Sequence, residues 1–79
     1  MDYIVLFFTQ SGAMKFEKIL TKKEMPCTLL PVPRKLSSSC GLSVKFRYEG
    51  DITGFINDDI DKIYEIADGK YHLIYEEEE

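Results

Sequence analysis

Seventy-nine residues allow one small domain with a thin core, and 44% apolar with 13% aromatic residues is the content of a folded chain. The formal net charge of −4 comes from the end, because without the run Glu76 to Glu79 ten basic residues face ten acidic ones. A body so balanced argues against a dedicated nucleic-acid binder, and no apolar run approaches the roughly 18 residues that cross a bilayer.

The chain opens with Asp2 where a signal peptide would carry positive charge, and no small-residue cleavage site follows, so a cytoplasmic protein is expected. Tyr3 to Phe8 is apolar on both faces, the pattern of an interior strand. Thr9-Gln-Ser-Gly12 breaks it, and Thr9 or Ser11 can cap the helix that follows. Ala13, Phe16, Ile19 and Leu20 share one helical stripe, Lys15, Lys18 and Lys22 turn outward, and Pro26 stops the helix.

Cys27 to Pro33 reads as extended. Pro31 and Pro33 cannot donate to a ladder, which makes this an edge strand. Leu42, Val44, Phe46 and Tyr48 alternate with Ser43, Lys45 and Arg47 in a two-faced strand, one side in the core and one polar. Asp51 offers an N-cap. Ile52, Phe55, Ile56, Ile60, Ile63 and Ala67 follow at helical spacing, Asp68-Gly69 supplies a stop, and Tyr71 to Tyr75 is the last strand.

Strand, helix, strand, strand, helix, strand predicts an α+β fold. It is a ferredoxin-like βαββαβ sandwich over residues 1–75, a four-stranded antiparallel sheet with two helices on one face. The second and fourth strands lie at the edges, and Glu76 to Glu79 form a solvated acidic tail. One sheet face stays open in this topology. An apolar first strand would leave large side chains on it, so a second copy is expected to cover it in a homo-oligomer.

Between Glu24 and Glu49 the chain has no acid, while Arg34, Lys35, Lys45 and Arg47 supply four positive charges. That stretch fits a local anionic site, and it holds Cys40 in a Ser-rich, Gly-flanked loop. Gly41 permits backbone angles that turn amide N–H groups toward the sulfur, and the nearby cations favour its anionic, nucleophilic form. Lys45 and Arg47 give electrostatic support. Arg34, Ser39 and Gly41 are the candidate residues for holding what Cys40 binds, Arg34 through its planar fork of donors.

Cys27 has no polar cluster around it and reads as a structural thiol, with a resolving partner for Cys40 as the lesser option. Two cysteines and His72 at positions 27, 40 and 72 make no metal-ligand spacing, so no metal is expected. Ser37, Ser38 and Ser39 are turn formers. With His72 on a distant strand and no orienting acid, a serine hydrolase is rejected.

Pro31-Val-Pro-Arg34, followed after a short gap by Cys40-Gly41, resembles the selenium/sulfur carrier protein-like family, as do Ala13 and Glu17 in the first helix. The resemblance runs from roughly Tyr3 to Tyr75. It implies a cytoplasmic protein that carries sulfur or selenium on one cysteine, here Cys40. Such a carrier takes its cargo from a donor such as a cysteine desulfurase-like protein and passes it to an acceptor, without turnover of its own. A carrier whose cargo is the persulfide itself would need no bound cofactor either. The other function that the sequence allows is a non-catalytic regulatory or interaction domain that dimerises through its open sheet face, with Cys40 incidental.

Overall fold

A computed structural model describes residues 1–36 and 40–77. In chain order the elements are β1 (Asp2–Phe7), α1 (Gln10–Lys22), β2 (Cys27–Pro31), β3 (Leu42–Arg47), a 3₁₀ turn η1 (Ile52–Phe55), β4 (Ile60–Ala67) and β5 (Lys70–Glu76). The result is α+β, with one helix and a five-stranded sheet in the order β2-β3-β1-β4-β5, every pair antiparallel.

The first half follows the sequence reading. Thr9 caps α1 by accepting from Gly12 N–H at 3.0 Å, and Gly12, Ala13, Phe16 and Leu20 form its buried stripe. Ile19, expected on that stripe, is 42% exposed. The helix ends before Pro26 is reached. Met25 N–H returns to Leu20 O and Glu24 N–H to Thr21 O, a Schellman closure that holds Glu24 at φ 59°.

The second predicted helix is absent among the described residues. Asp51 does cap, accepting from Thr53 N–H and Oγ1, but the turn it starts is η1 and ends at Phe55. Residues 60–67 instead form β4. The helix-like spacing of Ile60 and Ile63 has a specific origin in the register with β1. Leu6 pairs with Lys62 and Phe7 with Ile60, so Asp61 is an extra residue. A bulge of this kind turns the strand's period of two into a step of three on one face. Asp68-Gly69 is then not a helix stop but the two-residue hairpin turn between Ala67 and Lys70, with both residues at positive φ (52° and 72°). Four strands and two helices therefore become five strands and one helix, while β2 and the final strand keep the predicted edges.

Tyr3, Val5 and Phe7 face α1 in one core with Phe16, Leu20, Val44, Phe46, Ile60 and Ile63. Phe55 of η1 closes it, with ring centroids 5.6 Å from Phe46 and 6.2 Å from Phe16. The opposite face was expected to need a second copy. Within the single chain, however, Ile4, Leu6 and Ser43 are already 1%, 0% and 0% exposed. On that face Lys35 and Leu36 share a cleft of about 340 Å³ with Tyr64, Lys70 and Tyr71. Ser43, read as solvent-facing, is buried there and donates to Leu30 O at 3.1 Å. The acidic run begins inside the sheet: Glu76 belongs to β5, and Glu77 N–H donates to Asp61 O at 2.9 Å, while 78 and 79 lie outside the described residues.

Two substitutions test these local readings. Glu24→Gly removes the left-handed strain and a negative charge from the helix C-terminus. It should stabilise by about 1 kcal/mol, raising Tm by roughly 4–8 °C in a calorimetric scan. Gly12→Ala places a Cβ 2.8 Å from Asp59 Cβ, so it should destabilise by roughly 1–3 kcal/mol despite alanine's higher helix propensity.

Candidate functional site

Cys40 sits at the end of the sheet where β1 runs into α1 and β3 begins. Val32 N–H donates to Gly41 O at 3.0 Å, extending the β2–β3 pairing to the residue beside the cysteine. Gly41 has φ 77°, a conformation that glycine reaches without strain, and nothing would meet an added Cβ there. Across that turn Leu42 N–H donates to Cys40 Sγ at 3.4 Å, and the thiol can return a bond to Leu42 O at 3.4 Å. From the other side, Gln10 Nε2 at the start of α1 donates to Cys40 O at 3.4 Å. The residue is half-buried and packs against the core.

A sulfur that accepts a backbone amide from two residues ahead is placed as a side-chain acceptor is placed in an Asx-turn. The Cys-Gly pair carries the sequence signal for that. Nothing in the sequence signals Gln10, because its contact spans 30 residues. Arg34 stands at an exposed turn closed by Leu36 N–H to Pro33 O at 2.9 Å, and among the described residues it makes no hydrogen bond or ion pair. Ser39 lies outside the described residues, as do Ser37 and Ser38. Lys45 and Arg47 are exposed, with Arg47 paired to Asp2 at 3.1 Å. Among the described residues no group of three or more His, Cys, Asp or Glu could hold a metal ion, and no helix is long and apolar enough to cross a membrane.

Cys27 lies at the opposite end of the β2–β3 ladder, opposite Phe46 and facing α1. Five residue steps of extended chain separate it from Val32, about 17 Å, which is far beyond the Cα separation of a disulfide. The two sulfurs are thiols, and Cys27 is not a resolving partner for Cys40 within one chain. Its Sγ–H points to Glu17 O at 3.8 Å. Burial pushes the Cys27 thiol up, a hydrogen bond with Thr21 pulls it down, and the Glu17 charge pushes it up again, for a net rise. The protonated form is the one that this pocket accommodates.

That shift has a sign in stability. The folded thiol ionises above its unfolded value, so its contribution is complete below about pH 8.5 and is lost as pH rises through the folded value. Urea denaturation midpoints should therefore fall from neutral to alkaline pH in the wild-type chain and fall less in Cys27→Ala. Equal slopes would contradict the assignment.

No curated protein and no solved structure matches the chain. A family model, described as "Putative Se/S carrier protein-like", matches residues 2–71, which takes in β1, α1, both cysteines, β3, β4 and the hairpin turn. With nearly its whole length matched, the chain belongs to that selenium/sulfur carrier protein-like family.

Proposed function

We propose that the chain carries sulfur or selenium as a persulfide or perselenide on Cys40 and passes it between proteins in the cytoplasm. Family membership supplies the class of cargo. The observation that carries the reading is the setting of Cys40: a sulfur at a loop, beside a glycine in the left-handed region, with a main-chain N–H donating to it. Such an amide can go on donating when the sulfur is anionic, and it costs no reorganisation.

The transfer balances without an oxidant or reductant. Cys40 thiolate attacks the terminal sulfur of a donor persulfide, and a new S–S bond forms. The donor's S–S bond breaks and its electron pair leaves on the donor thiolate, so one sulfane sulfur atom changes hands. A cysteine desulfurase-like protein fits as donor, and the same exchange in reverse delivers the cargo to an acceptor. In this reading Arg34, exposed on its turn, meets an anionic group of an incoming partner, and the open space beside Gly41 supports access to the Cys40 loop. The regulatory alternative rests on an exposed apolar sheet face. On that face Ile4 and Leu6 are buried within the single chain and Leu73 of β5 is 50% exposed, so less apolar surface is left for a second copy to cover than the sequence suggested.

Incubation with a sulfur donor followed by intact-mass and peptide mapping should find one added sulfur on Cys40. Cys40→Ser should fold normally and take up none, whereas Cys27→Ser should still load. Added sulfur on Cys27, or on neither cysteine, refutes the assignment.

A further inference from the structure

The sheet order turns a charge pattern along the chain into one across the molecule. Residues 15–47 carry eight basic and two acidic side chains, and residues 48–77 carry two basic and nine acidic ones. Helix α1 and strands β2 and β3 lie on one side of β1, and β4 and β5 lie on the other. Five of the nine acids fall from Asp61 to Glu77, while Asp51 and Asp59 reach α1, Asp51 beside Ile19 and Lys23 and Asp59 beside Gly12. Cys40 belongs to the positive side.

On that side the outer face of α1 carries Lys15, Lys18 and Lys22, spaced three and four residues apart and so neighbours on one ridge. All three are exposed, and among the described residues none is in an ion pair. Like charges at these spacings each cost a few tenths of a kcal/mol in an isolated helix, a local conflict of the kind that sites of interaction retain. Helical geometry places Met14 on one flank of the ridge and Ile19 on the other, 51% and 42% exposed. Gln10, the first residue of α1, holds the Cys40 carbonyl, so the ridge begins about 8 Å along the helix from the Cys40 loop.

We infer that this ridge, with Met14 and Ile19 beside it, docks the chain on an acidic surface of the protein that delivers its sulfur, bringing Cys40 to the donor persulfide. The inference rests on the carrier reading. Apolar side chains set beside charges are the anatomy of a protein interface. The acidic β4–β5 half opposes an extended polyanion such as nucleic acid or an anionic bilayer, because such a partner would also meet Asp61, Glu65, Asp68, Glu76 and Glu77.

The test measures loading of Cys40 by a cysteine desulfurase supplied with L-cysteine and, separately, by inorganic polysulfide. K15E/K18E/K22E and its neutral counterpart K15Q/K18Q/K22Q are compared with wild type, their folding verified by circular dichroism. The expected result for the charge reversal is a rise of about tenfold in KM for the carrier at low salt, with a smaller rise for the glutamine variant. The difference should vanish near 1 M salt, where the screening length is about 3 Å. Polysulfide loading, which needs no docking, should be the same in all three. An unmoved KM with normal polysulfide loading overturns the docking surface and leaves the carrier reading standing. Failure of polysulfide to load wild-type Cys40 counts against the carrier reading itself. A wild-type chain that loads from polysulfide but not from the desulfurase overturns the donor class. The surface also falls if KM is unmoved while the reversal abolishes binding to a short DNA duplex or to phosphatidylglycerol vesicles, or abolishes salt-sensitive self-association in sedimentation.

Discussion

Strand β1 must be buried on both faces, and the rest of the molecule is arranged around that requirement. Tyr3, Val5 and Phe7 need one cover, and Ile4 and Leu6 need another. Helix α1 and the aromatic plug Phe55 supply the first, and on the second face Lys35 and Leu36 lie beside Tyr64 and Tyr71. Both edges of β1 are hydrogen-bonded as well, to β3 and to β4. Cys40 packs against the core on the α1 side. Its sulfur sits between a main-chain amide and the packed core rather than on a freely moving arm.

Much of this was readable from residue pattern. The two-sided apolar run of β1, the stripe of α1, the proline-marked edge of β2 and the alternation of β3 each follow from one periodicity, and each folds where that periodicity puts it. The second half misled for a physical reason. Ile60 and Ile63 sit on one face of a strand only because Asp61 is inserted between the pairings of Lys62 and Ile60 with β1, which no local pattern reveals. Asp68-Gly69 suits a helix stop and a tight hairpin equally, and pairing with β5 decides between them. The burial of Ile4 and Leu6 on the far face was missed in the same way, because Lys35 and Leu36 meet Tyr64 and Tyr71 there across a long stretch of sequence.

The site was legible to a similar depth. Serine and glycine composition marks the Cys40 loop, and the glycine marks the turn that brings Leu42 N–H to the sulfur. Gln10 was invisible because its role exists only once α1 is docked. The two cysteines divide by environment rather than by residue type. One lies at a loop against a main-chain amide, and the other faces a helix carbonyl where burial favours the proton. The strand between them fixes that division, since the length of β2 keeps the sulfurs from reaching each other.

The double pairing of β1 also sets the order in which the fold can be completed. Asp2 pairs with Arg47 on one side and with Ile66 on the other, so one edge of β1 closes only after β3 exists and the second only after β4. During synthesis Tyr3 to Phe8 leaves the ribosome well before β4, the last neighbour it acquires. Until then it is a short, uncharged, strand-prone segment with an open edge, the composition that pairs promiscuously with other chains. That vulnerable interval lasts until β4 has emerged, and the early-forming helix α1, with its lysines outward, is the element that shields one side of that strand during the wait.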